Sequence, residues 1–296
     1  MPYLYGKKMN VTIIGGGAIG LLLAASLDND NEVSVLVKPE KCEQLVEKGL
    51  WIIEENVKRK INAKIVTHIS NPDVVIIAVK GYDLEKTRKL LNDFQGKVII
   101  CQNGLKMLDF NLLNNNEIFA IVTSVGAESL ERGVTKFKGT GNTLFGKLHN
   151  VKNDDLNLLK LFSTKYFEID HVKDIENYIW LKAVINSAIN PVASCYNLKN
   201  GELKKGQYWN LVKDILAESI KIANSNKIIF NEDPLDLTQE IIEKTANNMC
   251  SMLQDVKKGR KTEINEINGI LIEIGKKNNA ITQLNSEYLK KIKAVS

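Results

Sequence analysis

Three sets of residues have the types and spacing that chemistry needs. Gly15-Gly16-Gly17-Ala18-Ile19-Gly20 holds a Gly-x-Gly-x-x-Gly pattern directly after the β-rich run Val11-Thr12-Ile13-Ile14 and at the head of the helix-permissive run Ala18–Leu27. In a strand–turn–helix setting Gly15 permits a tight turn, Gly17 lets backbone approach a pyrophosphate, and Gly20 lets helix and strand pack closely. The helix N-terminus adds free N–H groups and positive potential. The pattern predicts a dinucleotide site; tight packing alone is the competing reading. Lys182, Asn186 and Asn190 recur every four residues beside Trp180, Ala183, Val184 and Ile185, so on a helix their side chains share one face within roughly 80° of arc. Surface stripes usually mix Glu with Lys, whereas an amine and two carboxamides suit a hydroxylated, anionic small molecule; a solvated stripe is the alternative. Asn248, Ser251 and Asp255, three and four apart, make a second small polar face.

Single positions refine this. Lys38 closes the second β run, Val35-Leu36-Val37, where NAD-selective sites usually carry a carboxylate for the ribose hydroxyls and a cation suits the 2′-phosphate of NADP. A solvated lysine is the plain alternative; the missing carboxylate is the firmer part, and together they predict NADPH over NADH. Lys80 after Val74–Val79 and Asn103-Gly104 after Val98–Cys101 lie where loops at the carboxyl ends of strands meet ligands. Each is equally readable as an ordinary loop or turn residue. Pro191 lacks an N–H and restricts Asn190, so the helix is expected to end or kink there and aim Asn190 into a cleft. In Gly259-Arg260-Lys261-Thr262-Glu263 the expectation is a helix opened by Glu263 and capped by Thr262. The charge run Lys257, Lys258, Arg260, Lys261 reads by default as solvated surface.

The elements that must position these residues change character midway. Buried strands are expected at Val11–Ile14, Val33–Val37, Val74–Val79, Val98–Cys101 and Ile118–Val122, with Thr143–Leu148 and Tyr166–Val172 finishing the sheet. From Asp174, a candidate N-cap, helical spacing takes over: Ile175, Ile179 and Ala183, then Leu211, Ile215 and Ile222, then a helix opened by Pro234 and running towards Leu253. The reading is an α/β Rossmann-type dinucleotide-binding domain over 1–172, with 1–8 a loose leader, followed by an all-helical domain over 173–296 that shares a cleft with it. The uncharged stretch Val11–Leu27 behind Lys7 and Lys8 superficially resembles a secretory signal, but its glycines fit a strand, turn and helix better. No other run approaches the ~20 apolar residues needed to span a bilayer.

With 296 residues, 44% apolar and 25% charged, the chain can bury a large core and is not disordered. A net charge of +5, spread without a basic block, argues against a nucleic-acid partner. Cys42, Cys101, Cys195 and Cys250 are far apart, with no Cys-x-x-Cys pair for a metal site, and read as reduced thiols of a cytoplasmic protein.

The glycine loop, Val79-Lys80, Gln102-Asn103-Gly104, Trp180-Leu181-Lys182-Ala183-Val184-Ile185-Asn186, Ile189-Asn190-Pro191, Asn200-Gly201-Glu202-Leu203, Ser251-Met252-Leu253-Gln254-Asp255-Val256 and Gly259-Arg260-Lys261-Thr262-Glu263-Ile264 follow one another in this order. In combination, from Val11 to about Leu271, the chain resembles the ketopantoate reductase family. The resemblance implies a helical domain like that of 6-phosphogluconate dehydrogenase, an active site between the domains, and NADPH-dependent reduction of 2-dehydropantoate to pantoate on the way to pantothenate and coenzyme A. It implies that Lys182 donates the proton and that Asn186, Asn190, Asn200, Asn248 and Ser251 line the substrate site. Gly15, Gly16, Gly17, Ala18, Ile19, Gly20, Lys38 and Lys80 are expected at the cofactor, with Ala127 beside it, Glu263 closing its side, and Asn103 touching both cofactor and substrate. Asp83, where some members carry Gln, and Lys106, where a small residue is frequent, depart from the pattern. Two alternatives stand: a reductase of another 2-oxo acid, and a non-catalytic NADP(H)-sensing regulator, against which Lys182 and Asn186 argue. A homodimer is one expected assembly, since helical second domains often supply dimer surfaces.

Overall fold

The β-branched runs pair because each can bury both faces under covering helices. The computed structural model describes residues 8–112, 116–152, 156–162 and 164–296; the expected leader, apart from Lys8, lies outside them. The strands are β1 (Asn10–Ile14), β2 (Glu32–Leu36), β3 (Trp51–Glu54), β4 (Val57–Lys60), β5 (Lys64–Val66), β6 (Val74–Ile77), β7 (Lys97–Cys101), β8 (Ile118–Thr123), β9 (Gly126–Glu131), β10 (Val134–Gly139), β11 (Asn142–His149) and β12 (Glu168–His171). Eight of them form one sheet in the order β12-β11-β8-β7-β6-β1-β2-β5, parallel throughout except where β11 runs antiparallel to β8. After β5 the chain crosses to the far side of β1 to lay down β6, so the β1/β6 boundary is the topological switch point, where open α/β sheets place their ligand crevice.

A second sheet, order β4-β3-β10-β9, was not legible as strands. Its strands are short and polar: Val57-Lys58-Arg59-Lys60 exposes three of its four residues. Its turns were more telling than its strands. Glu55 and Asn56 both take positive φ between β3 and β4, the geometry of a two-residue hairpin turn, and Gly133 does so between β9 and β10. Between the two sheets lies helix α1 (Ala18–Leu27), packed on β1 and β2 on one side and on β3, β9 and β10 on the other. Every residue from Gly20 to Leu27 is buried. Burial on both sides explains the uncharged run that resembled a secretory signal.

Helices α2 (Pro39–Lys48), α3 (Leu84–Leu90) and α4 (Leu156–Leu161) complete this part, and α5 (Ile175–Cys195), α6 (Gln207–Ser225), α7 (Pro234–Lys244), α8 (Ser251–Lys257), α9 (Ile270–Lys277) and α10 (Gln283–Lys293) follow. A π-helix over Asn265–Gly269 precedes α9. The chain divides into two compact units: one runs to Gln102 and resumes over Phe110–Ile175, and the other joins Asn103–Asp109 to Glu176–Ser296. Among the described residues no helix is long and apolar enough to cross a membrane. All four cysteines are free thiols.

Three helix boundaries differ from expectation. Of the two outcomes expected at Pro191, an end or a kink, the ending is not found, since α5 runs on to Cys195: the Ser187 carbonyl, whose partner would be the missing N–H of residue 191, accepts instead from Asn268 Nδ2 at 2.9 Å. The helix opened by Pro234, with Asp233 accepting from the amides of Leu235 and Asp236, stops at Lys244, and the turn that follows is held by Asn200, whose amide donates to the Asn248 carbonyl and whose Nδ2 donates to the Thr245 hydroxyl. α8 then starts afresh behind Cys250. The helix expected to open at Glu263 under a Thr262 cap begins at Ile264 without a side-chain cap.

Packing at the head of α1 is tight enough to test. A Cβ on Gly20 would lie 1.9 Å from the Gly15 carbonyl oxygen, whereas one on Gly17 would meet nothing within 4 Å. Gly20→Ala is expected to lose about 2 kcal/mol or more in a denaturant titration, the upper part of the overpacking range, while Gly17→Ala stays within about 0.5 kcal/mol of the parent.

Candidate functional site

In the first unit the sequence-predicted residues gather at the carboxyl ends of neighbouring parallel strands. Gly15 leaves β1 at φ +118°, a conformation that favours glycine, and a Cβ there would lie 2.7 Å from the Ala78 carbonyl oxygen just after β6. The turn is thus pressed onto the switch point. Gly17 then caps α1 with extended backbone; no side chain caps the helix and its first turn holds no acidic residue. The first-turn N–H groups of α1 keep their donor capacity and the helix dipole its uncompensated positive end. Gly16 would place a Cβ in ordinary contact with Val35 and Val37, and Gly17 faces open space. This is a cradle for an anion with backbone on its floor.

Around it, Lys38 is exposed after β2 at the start of α2, and no carboxylate takes its place. Lys80, half-buried, precedes the short turn Gly81–Asp83 after β6. Asp83, the first departure from the family pattern, forms an ion pair with Lys86 at 2.5 Å. Sequence reasoning passed over Gln102 as a site residue. It follows β7, donates Nε2 to the Val79 carbonyl at 2.6 Å, and leaves Oε1 buried without a partner among the described residues. Ala127 stands apart from these loops in the chain, half-buried on β9 of the second sheet, the sheet that packs on α1.

The second unit builds its site on α5. From Ile179 to Ser194 every residue is buried except Lys182 and Asn186, which are half-buried. A solvated stripe would expose Asn190 as well, yet Asn190 is only 4% exposed. Neither the Asn186 nor the Asn190 carboxamide has a hydrogen bond among the described residues. Two neighbours are tied to the far end of this face. Burial pushes the Cys250 thiol up to about 11, so it stays protonated; it donates to the Asn190 carbonyl and accepts from the Leu253 amide. Cys250, the N-cap of α8, is thereby tied to the backbone of Asn190. The Asn200 amide donates to the Asn248 carbonyl and Asn200 Nδ2 to the Thr245 hydroxyl, so Asn200 holds the 245–248 turn while its own Oδ1 is buried and unpartnered. Asn248 and Ser251 are exposed.

Asp255 does not share that polar face. It is buried and paired with Arg260 at 2.8 Å, which also takes Arg260 out of the solvated charge run. The segment 103–109 docks on the π-helix. Asn103 Nδ2 donates to Glu263 at 3.4 Å, and Lys106 pairs with the buried Glu266 at 3.5 Å. Gly104 sits at φ +83° with its Cβ position 2.4 Å from the Glu266 carbonyl oxygen. Lys106, the other departure, therefore has a buried partner. Glu266 and Asn268, which the sequence reading did not single out, complete this side.

The comparisons with known proteins agree with this arrangement over both units. The family described as ketopantoate reductase PanE/ApbA matches residues 11–150, and its counterpart, ketopantoate reductase PanE/ApbA C terminal, matches residues 174–296. A 2-dehydropantoate 2-reductase of Pyrococcus horikoshii is 32% identical over 284 residues, 94% of each chain. A solved structure of a probable 2-dehydropantoate 2-reductase from Bacillus subtilis is 24% identical with a TM-score of 0.84, covering 97% of this chain and 99% of that one. D-mandelate dehydrogenase in complex with NADH is 25% identical with a TM-score of 0.85, covering 97% and 98%. With a glycine turn at a switch point in one unit, an amine-and-carboxamide face in the other, and matches that span both, the chain belongs to the ketopantoate reductase PanE/ApbA family of oxidoreductases acting on CH–OH groups.

Proposed function

We propose that this chain reduces 2-dehydropantoate to pantoate with NADPH, a step that feeds pantothenate and coenzyme A synthesis. The observation that carries the reading is the α5 face, where an amine and two unpartnered carboxamides interrupt an otherwise buried helix. The first unit fits the cofactor. The uncapped start of α1 and the open space over Gly17 would take the pyrophosphate on backbone N–H groups at Gly15 to Gly20, and Lys38 would meet the 2′-phosphate. Lys80, Asn103, Ala127 and Glu263 are the further cofactor contacts of this reading. When bound, the cofactor supplies the hydride that converts the ketone carbon to a secondary alcohol.

The protein's own contribution is charge and position. As negative charge builds on the carbonyl oxygen, the Lys182 ammonium stabilises it and transfers a proton from Nζ, leaving a neutral amine and a hydroxyl product. Asn186, Asn190 and Ser251 hold the substrate's carboxylate and hydroxyl through groups that both donate and accept without repelling an anion. Asn200 and Asn248 shape that wall, Asn200 chiefly through the turn it holds. A second reading, reduction of another 2-oxo acid, is favoured by the similarity to D-mandelate dehydrogenase.

Loss of NADPH absorbance with a panel of 2-oxo acids separates the two readings: 2-dehydropantoate is expected to give the highest kcat/KM, and a clear preference for another member selects the second. Lys182→Ala is expected to lower kcat at least ~100-fold, the usual contribution of a positioned general acid, with NADPH binding by fluorescence titration retained. A variant within a few-fold of the parent would assign the proton to another donor. NADPH is expected to have the lower KM of the two cofactors, and Lys38→Ala to raise it about tenfold, equivalent to one lost charge-assisted contact, with the KM for NADH little changed. A parent enzyme that prefers NADH overturns the role given to Lys38.

A further inference from the structure

Pro191 sits inside α5 at a cost that another element offsets. A proline ring crowds the carbonyl four residues earlier, and the N–H that Pro191 lacks leaves the Ser187 carbonyl without a helical partner. Asn268, fully buried in the π-helix, donates one Nδ2 hydrogen to that carbonyl at 2.9 Å and the other to Asn285 Oδ1, also at 2.9 Å. The direction of both bonds is determined. Asn285 spends its own Nδ2 on the Glu218 carboxylate at 2.9 Å and on Ser219 Oγ at 3.0 Å, so its Oδ1 faces Asn268, and Asn268 must present its amino group. The Oδ1 of Asn268 is left buried with no partner. A carboxamide that strands its own oxygen is a poor choice for stability alone; what this position demands is two donors. Ser187 is further pinned by its hydroxyl to Ser219 at 2.8 Å.

The two substrate-facing carboxamides flank this prop, Asn186 one residue before Ser187 and Asn190 one before Pro191. We propose that Asn268 is a positioning residue: by replacing the hydrogen bond that Pro191 removes, it fixes the path of α5 on which Asn186 and Asn190 are presented to the substrate. A π-helical turn is wider than an α-helical one, and such turns recur at functional sites; here Asn268 reaches α5 from the same π-helix whose Glu266 pairs with Lys106, while Glu263, just before that helix, accepts from Asn103.

The inference rests on the reductase reading, so the experiment keeps the two apart. Asn268→Leu removes both donors at similar volume. It is expected to raise the KM for 2-dehydropantoate at least tenfold with the Kd for NADPH unchanged. Pro191→Ala restores an N–H for Ser187, so the Pro191→Ala/Asn268→Leu double variant is expected to return to within about threefold of Pro191→Ala alone. In parallel, amide exchange at Val192–Cys195 is expected to accelerate at least tenfold in Asn268→Leu and to slow again in the double variant. If Leu does not fold, Asn268→Ala in both backgrounds carries the same comparison. An unchanged KM, or a KM that Pro191→Ala leaves raised, overturns the positioning role. A parent that turns over no 2-oxo acid overturns the reductase reading, while exchange still decides whether Asn268 fixes this helix.

Discussion

Much of this molecule follows from the approach of α1 to the end of β1. Gly15 and Gly20 bring the helix start so close to the strand end that a methyl group on either would meet backbone. That approach does two things at once. It lets an uncharged helix fill the space between two sheets, contributing the closely packed side chains Leu21, Leu22 and Leu23 to the core. It also leaves the helix start uncapped at the switch point of the larger sheet, where backbone donors face outward. Gly15 and Gly20 therefore tie the shape of the proposed anion site to the packing of the fold, whereas Gly17 faces open space.

Legibility in the sequence tracked how local the determining physics was. The parallel strands announce themselves as β-branched runs because both faces are buried, and the glycine spacing is read from three residues and their flanks. The second sheet was missed because Val57–Lys60 and Gly126–Glu131 lack an apolar alternation; their order comes from hairpin turns and from burial of their few apolar residues, Ile52 among them, against α1. Lys182, Asn186 and Asn190 were found by period alone. Asn268 and Glu266 were not, since their importance lies in partners eighty-one and one hundred and sixty residues away in the chain, a distance at which spacing carries no signal. Pro191 shows the same limit from the other side: propensity ends the helix there, and a distant carboxamide lets it continue.

The helical unit also shows what becomes of its carboxylates near the α5 face. Asp255 is neutralised by Arg260 and Glu266 by Lys106, Glu263 accepts from Asn103, and Glu218 receives the amides of Leu284 and Asn285 and the Asn285 side chain. Each is buried, where an unpaired negative charge would be costly. The face itself, Lys182, Asn186 and Asn190, is one amine and two neutral carboxamides. For an anionic substrate that distribution matters more than any single contact. In the proposed reduction, carboxamides would orient the incoming acid without repelling it, while the amine would meet the charge that develops on the carbonyl oxygen. The buried ion pairs and the α5 carboxamides therefore divide the work in the proposed reduction: charge is paired where water is excluded, and an anionic substrate would meet an amine and neutral amides.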